Sequence, residues 1–448
     1  MTMQQPSIWN RLIKLSLPVM FSLLIQSIYN IADSYFVARY SSDGLAALSL
    51  IYPIQLFMTA LATGTGSGLG LLVSHMDGQK AGGSSEMIRE KHSLIASGLF
   101  LGIFNYLIFT LTAMWGICGY FSISSSQQAV RESGLQYTHI VFLFSFGLFA
   151  EANATKLLQA KGNTVLPMLA QIAGAVLNIL LDPILIYGLF GLPAMGIRGA
   201  AVATVLGQWL AMFIVILPVF RRFPVFSGRV LPADCIRIYR AGLPAIAMQS
   251  LNTLYIVGLN LVLKQFSESA VLVLGIYYKL QTFFFIPLMG LQQVILPLIS
   301  FYHGAEQPQR ERQVLGCSIK LSLAIMLTAL GAFMIAPEGL LSIFTAELAV
   351  LSIGCIGLRI ISLSFPFAAL GMMYTVYFQS AGRGRTSLLV TVLRQVVLLV
   401  PLAWLFHFKG LTFVWFTFPV TEIFVAAVCL MLDRPRPATW ARNELPAR

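Results

Sequence analysis

Residues 15–38 read LSLPVMFSLLIQSIYNIADSYFVA, an apolar stretch with one carboxylate, Asp33, and one internal proline, Pro18. A helix needs roughly 20 predominantly apolar residues to cross a bilayer, so this stretch predicts a membrane span. A carboxylate at the centre of a span costs about 2.5–3.5 kcal/mol on insertion scales, which favours a functional reason for its presence. Pro18 has no backbone N–H group and therefore predicts a point where this helix can bend.

The rest of the chain has the same apolar character. Its 448 residues are 57% hydrophobic and only 10% charged, and the mean hydropathy is +0.80. A soluble domain of this length needs more charge than this to cover its surface. The runs also lack the apolar–polar alternation of barrel strands, so the composition predicts an all-α polytopic membrane protein.

Apolar runs of spanning length occur twelve times, which predicts twelve transmembrane helices. They cover residues 15–38, 45–73, 93–118, 135–158, 165–190, 197–220, 241–263, 270–300, 316–336, 349–378, 387–407 and 411–431. Lys and Arg concentrate at the N-terminus, in the even-numbered loops and in the tail, which predicts that both termini are cytoplasmic. The net charge of +12 is thus interpreted as an orientation signal rather than as a nucleic-acid-binding surface.

The two halves of the sequence resemble each other. Residues 11–78 align without a gap to residues 237–304, so that Pro18 falls on Pro244 and Gly64 on Gly290. We therefore predict two six-helix lobes related by a pseudo-two-fold axis along the membrane normal. The predicted boundaries are 1–220 for the N-lobe, 221–240 for a cytoplasmic linker, 241–432 for the C-lobe and 433–448 for a cytoplasmic tail.

Four polar residues of the N-lobe are predicted to share one depth in the membrane. Asn178 and Asp182 are four residues apart and lie on one helix face. From the rise per residue, Asp33 and Asp182 lie roughly 27 and 26 Å from the inner edge, and Thr204 lies roughly 10 Å below the outer edge. The four residues therefore predict a site that binds a proton or Na⁺, although a purely structural polar contact between helices is the alternative.

Other intramembrane polar and aromatic residues allow more than one interpretation. Glu151 is a gate, a substrate contact or a partner of Lys156 or Lys161, and Phe283 is either a cavity residue or lipid-facing filler. Pairing is expected among the remaining charged residues of the second half, with substrate binding as the alternative; they are Lys279, Arg359, Arg394 and Glu422. The scattered cysteines and histidines predict neither a metal site nor a disulfide framework, and we expect no cofactor.

Several stretches in order resemble the MATE (multidrug and toxic compound extrusion) family over essentially the whole chain. They are Pro18…Gln26…Asp33, YSSDGLAALSLIYPI, LLQAKGNTVLPM, NILLDPILIYGLFG and GIRGAAVATVLGQ. The resemblance implies that Asp33 is the acid whose protonation is linked to bending at Pro18. It also implies that Asn178, Asp182 and Thr204 form the coupling cluster, and that Gln26, Tyr29 and Tyr137 line a cavity.

What the resemblance implies is a monomeric efflux antiporter in a bacterial cytoplasmic membrane, which exports small amphipathic organic cations in exchange for H⁺. The second half lacks the additional acids of the NorM-like branch, so the chain looks more similar to the DinF-like branch, with Na⁺ still possible at Asn178 and Asp182. A flippase for a lipid-linked saccharide is the alternative, because Lys279, Arg359 and Arg394 lie in spans. No nucleophile–base pair or metal motif predicts an enzyme.

Overall fold

The structure is a computed structural model, and it describes residues 7–79, 85–222, 228–345 and 347–433. Of the predicted linker, residues 223–227 lie outside the described residues, and so does the predicted tail from residue 434 onward. All regular secondary structure in the described ranges is helical, which confirms the predicted fold class.

The helices of the first half are α1 to α7. They cover Ile8–Tyr40, Ser42–Gly78, Ser85–Ser124, Gln128–Leu143, Phe146–Ala160, Val165–Tyr187 and Ile197–Arg222. The helices α8 to α17 follow, and a π-helical segment, Leu393–Leu398, lies between α14 and α15. They cover Pro232–Leu263, Glu268–Gly304, Pro308–Ile335, Pro337–Ser342, Leu348–Ser362, Phe365–Ser380, Gly384–Val392, Leu399–His407, Leu411–Trp415 and Thr417–Leu432.

The described helices account for all twelve predicted spans. Ten helical stretches are long and apolar enough to cross a membrane, and the bent pairs α4/α5 and α12/α13 bring the number to twelve when each pair counts as one span. Each bent pair changes direction by 47°. Hydropathy records the length of an apolar run but not the direction of its backbone, so it does not indicate these two breaks. At the second break Pro366, in the first turn of α13, is a local sign of a new helix start.

A serine lies at each break, and its hydroxyl and its backbone N–H both donate to the carbonyl group three residues earlier. Ser145 Oγ donates to the Phe142 carbonyl over 2.9 Å, and Ser364 Oγ donates to the Ile361 carbonyl over 2.6 Å. At the first break, Thr110 Oγ1 also donates to the Phe142 carbonyl over 3.0 Å. Freed backbone groups need such donors inside a membrane, because lipid supplies none.

The described chain forms two compact units whose boundary falls within α8. One unit comprises Ile13–Gln249 and Gly304–Glu306; the other comprises Met1–Leu12, Ser250–His303 and Gln307–Arg448. Residues 232–240, which the sequence assigns to the linker, are the first turns of α8. A proline at the start of a helix and an acid in its first turn, here Pro232 and Asp234, both favour helix initiation at this point.

The first part of α8 joins the unit of α2 through glycine contacts. A Cβ atom added at Gly242 would lie 3.0 Å from the carbonyl carbon of Gly64, and one added at Gly64 would lie 3.1 Å from the backbone nitrogen of Ile246. Helices that lack Cβ atoms at their contact can approach backbone to backbone. These glycines therefore place the start of α8 against α2.

Candidate functional site

The candidate site lies entirely within the unit that contains Ile13–Gln249, between helices α1, α5, α6 and α7. Helix α6 carries a polar stripe of Gln171, Asn178 and Asp182, whose spacing of seven and four residues keeps them on one face. Helix α7 presents Thr204 and Gln208 toward the same space. The polar face of α6 is thus the face that meets Thr204 and Gln208 of α7.

A pair of glycines brings α6 and α7 into close contact beside this stripe. A Cβ atom added at Gly174 would lie 2.5 Å from the carbonyl oxygen of Gly207, and one added at Gly207 would lie 2.6 Å from the carbonyl oxygen of Gly174. No side chain fits at either position without moving a helix. This contact allows Asn178 on α6 to reach Thr204 on α7.

The predicted polar residues of α6 and α7 meet in the structure. The Asn178 side-chain amide donates to Asp182 Oδ1 over 3.4 Å and to Thr204 Oγ1 over 3.5 Å. Asn178 is 2% exposed and Asp182 is fully buried. Asp33 lies close enough for its charge to act on Asp182. We call these four residues, Asp33, Asn178, Asp182 and Thr204, the acid cluster.

Several oxygen atoms of the acid cluster are buried without a donor. In the part of the chain that the structure describes, no group donates to Asp33 Oδ1, Asn178 Oδ1 or Asp182 Oδ2. Buried polar atoms are normally hydrogen-bonded, and each exception requires an explanation. Because all three atoms are acceptors, the cluster is chemically suited to a proton or a small cation.

A cavity of about 90 Å³ extends from the acid cluster along α6. We call it the amide-lined cavity because side-chain amides are its most frequent polar groups. Its polar lining comprises Gln26, Tyr29, Glu151, Gln171, Asn178, Thr204 and Gln208. The volume is sufficient for several water molecules. Asn178 and Thr204 belong to both the cavity and the acid cluster, so a ligand that fills the cavity contacts the cluster.

The structure places the remaining predicted site residues in different surroundings. Tyr137 is buried beside the acid cluster, where its hydroxyl accepts from Gln55 over 3.3 Å, and its ring lies within electrostatic reach of Asp33. Pro18 lies inside α1, which is helical from Ile8 to Tyr40. Phe283 belongs to the other unit and is 59% exposed, so the structure does not bring it to this cavity.

Two cavity residues, Gln171 and Gln208, were not singled out from the sequence. Both follow from helical spacing, because Gln171 is seven residues before Asn178 and Gln208 is four residues after Thr204. Extending each polar face by one or two turns would have identified them. Their side chains distinguish the cavity from a purely acidic site.

Two of the predicted intramembrane charges of the second half form an ion pair, and a third, Lys279, lies beside an aromatic ring. Arg394, in the π-helical segment, donates through Nε to Glu422 Oε1 over 2.6 Å. Lys279 Nζ lies 5.7 Å from the centre of the Phe344 ring. The ion pair confirms the expected pairing of Arg394 with Glu422.

Comparisons with known proteins agree with the fold and the repeat. The sequence model of the MatE family matches residues 18–184 and 244–405. The two matches begin at Pro18 and Pro244, the same pair that the internal alignment superposes, which confirms that the halves are related. Together they cover more than half of the chain.

Three similar proteins illustrate this relationship. An FAD transporter of Shewanella oneidensis is 24% identical over 435 residues, which cover 94% of this chain and 93% of that protein. A probable multidrug resistance protein NorM of Thermotoga maritima is 26% identical over 404 residues, covering 89% and 85%. The solved structure of a MOP superfamily transporter from Pyrococcus furiosus matches with a TM-score of 0.86 at 23% identity over 95% of each chain.

Proposed function

Because this chain belongs to the MATE family, whose members are transporters and not enzymes, we propose that it is a multidrug efflux antiporter. In this proposal it exports amphipathic organic cations from a bacterium in exchange for protons. The observation that supports it best is the position of Asn178, which lines the cavity and donates to the buried acid Asp182. Binding of a substrate in the cavity and binding of a proton at Asp182 can thus oppose each other through the Asn178 side chain.

The proposed cycle uses the acid cluster as a proton site. A substrate cation occupies the amide-lined cavity while Asp33 and Asp182 are ionised. A proton that arrives from outside neutralises one of these acids, α1 bends at Pro18, and the cation leaves because it has lost its counter-charge. For one-for-one exchange with a monovalent cation the charges cancel, so a difference of one pH unit balances roughly a tenfold substrate gradient.

Protons are the proposed coupling ion, with Na⁺ at Asn178 and Asp182 as the rival. The described second unit offers no carboxylate beyond Glu422 in the middle of a span, and Glu422 is already bound to Arg394. This arrangement supports a single coupling site and the DinF-like branch. We further propose a monomer in the cytoplasmic membrane with both termini in the cytoplasm, as the distribution of Lys and Arg favours.

The flippase alternative requires a basic cavity for a pyrophosphate head group. The charge of Arg394 is compensated by Glu422, and the amide-lined cavity carries the carboxylate Glu151 and, among its described lining residues, neither Lys nor Arg. Both observations support export of cations over transfer of a lipid-linked saccharide. They also weigh against an anionic dinucleotide as substrate, although one relative is named an FAD transporter.

Transport assays in proteoliposomes test the proposal. We expect efflux of an ethidium-like cation under an imposed H⁺ gradient, no efflux under a Na⁺ gradient alone, and loss of H⁺-driven efflux in Asp33→Asn. Glu132→Gln is the matched control, because Glu132 is an exposed acid outside the cavity. Undiminished H⁺-driven efflux by a folded Asp33→Asn protein would exclude the mechanism, and binding of undecaprenyl-linked glycans in place of cations would favour the flippase.

A further inference from the structure

The amide-lined cavity has an end that the acid cluster does not occupy. Gln171 lies seven residues before Asn178 on α6, which corresponds to roughly 10 Å along the helix. Glu151 on α5 and Gln208 on α7 line the cavity together with Gln171. We call Glu151, Gln171 and Gln208 the inner subsite.

We propose that the inner subsite binds an N–H-bearing cationic group, such as a primary ammonium, guanidinium or amidinium, in preference to a quaternary ammonium. This inference rests on the proposed function and specifies its substrate class. It assigns recognition of the cationic group to Glu151, whereas the acid cluster performs ion coupling.

The first argument is the chemistry of the atoms that lack a partner. Among the described residues, no group donates to Gln208 Oε1 or to Asn178 Oδ1, and both residues line the cavity. Asn178 is 2% exposed, and its amide nitrogen is directed to Asp182 and Thr204, which fixes the orientation of its oxygen. Buried acceptors are normally paired, so these two oxygen atoms of cavity-lining side chains favour a ligand that brings donors over one that has none.

The second argument is the scarcity of aromatic rings. Proteins recognise quaternary ammonium groups, which have no N–H donor, mainly by the faces of several aromatic rings. Tyr29 is the single aromatic residue among those that line this cavity. A quaternary group would therefore gain little here and would leave the acceptors of Asn178 and Gln208 unpaired.

The third argument is the placement of charge around Glu151. Its Oε1 accepts from the Thr155 hydroxyl over 2.7 Å, so a hydrogen bond from its own helix orients the carboxylate. Lys156 follows on the same helix, close enough for its charge to act on Glu151, and its ammonium group donates to Gln159 over 3.1 Å. Gln171 also lies within hydrogen-bonding reach of the Glu151 carboxylate. A cationic group that enters the inner subsite therefore meets a carboxylate that Thr155 and Gln171 hold in place on the cavity wall.

Binding of two cations that share one skeleton and one charge, but carry either hydrogens or methyl groups on nitrogen, tests the inference. The probes are 2-phenylethylamine and its N,N,N-trimethyl analogue, and their affinities are measured for the purified full chain. We expect the wild type to prefer the primary amine, and Glu151→Gln to weaken amine binding roughly tenfold, equivalent to about 1.4 kcal/mol. Binding of the trimethyl analogue should weaken clearly less, since it loses the attraction between opposite charges but no charge-assisted hydrogen bond.

Equal weakening of both probes, or no weakening of either, would overturn the inference. Glu132→Gln again serves as the matched control because it removes an exposed acid outside the cavity. If Glu151→Gln does not fold, Gln208→Leu removes an unpaired acceptor without removing charge, and the same selective loss of amine affinity is expected. H⁺-driven efflux that persists in Asp33→Asn would refute the proposed function. If proton coupling is intact but Glu151→Gln weakens the binding of both probes equally, only the inner subsite is refuted.

Discussion

Asn178 donates to Asp182 Oδ1 over 3.4 Å and at the same time lines the amide-lined cavity. Its amide is therefore a direct hydrogen-bonded connection between a ligand in the cavity and the buried acid Asp182. A ligand that attracts this amide weakens its bond to Asp182, and protonation of Asp182 removes the charge that holds the amide.

Replacing Asn178 with alanine tests this connection. We expect H⁺-driven efflux to fall roughly tenfold or more, because a hydrogen bond to a charged group contributes about 1.5–3 kcal/mol. Substrate counterflow, which needs no proton gradient, should fall much less. Asn30→Ala is the control, since Asn30 is an exposed amide on α1. A parallel loss of both activities in Asn178→Ala would contradict a coupling role for this residue.

The contact between Gly174 and Gly207 predicts a steric effect on the site. Gly207→Ala places a Cβ atom 2.6 Å from the Gly174 carbonyl oxygen, so α6 and α7 must separate. We expect a destabilisation of about 1–3 kcal/mol, typical of overpacking, together with reduced transport. Thermal unfolding and efflux measure the two effects. In Gly116→Ala the added Cβ meets no atom within 4 Å, and that variant should resemble the wild type. A Gly207→Ala protein as stable and active as the control would show that the helices separate at no cost.

The ion pair between Arg394 and Glu422 predicts a strong dependence of stability on both charges. Glu422 is 4% exposed, and Glu422→Gln leaves the Arg394 charge buried without a counter-ion. We expect a loss of about 3–5 kcal/mol in the free energy of unfolding. The double variant Arg394→Leu/Glu422→Leu should recover most of this loss, because it removes both charges.

Unfolding by denaturant in detergent measures these differences, with Glu347→Gln as the control at an exposed acid. If Glu422→Gln were as stable as Glu347→Gln, the Arg394 charge would have to be compensated by another group.

The first bend also makes a specific prediction about Thr110. Thr110→Val retains the shape of the side chain but removes the 3.0 Å hydrogen bond to the Phe142 carbonyl. We expect a cost of about 1 kcal/mol, since Ser145 still donates to the same carbonyl. Adding Ser145→Ala should cost more than the sum of the single changes.

Thr112→Val is the matched control for Thr110, because the Thr112 hydroxyl bonds only carbonyls of its own helix and the residue is exposed. Strictly additive effects of Thr110→Val and Ser145→Ala on thermal unfolding would indicate that the two hydroxyl groups do not share the carbonyl.

Much of this architecture follows from the sequence because membrane spans are defined by composition and length. The twelve runs, the internal repeat and the proximity of Asn178, Asp182 and Thr204 all follow from hydropathy and helical spacing. The boundary at Gln249 does not, because it depends on which helix the start of α8 packs against. Nor does the π-helical segment at Arg394, where local hydrogen bonding rather than residue type sets the backbone.

The two bent helix pairs, α4/α5 and α12/α13, share one geometry. Helix α4 ends at Leu143 and α12 ends at Ser362, and each is followed by a 47° change of direction with a serine at the corner. A corner of the same geometry in both halves is what duplication of one six-helix segment would leave behind. Under the proposed function, ion binding then belongs to one copy and uses a shape that both copies share.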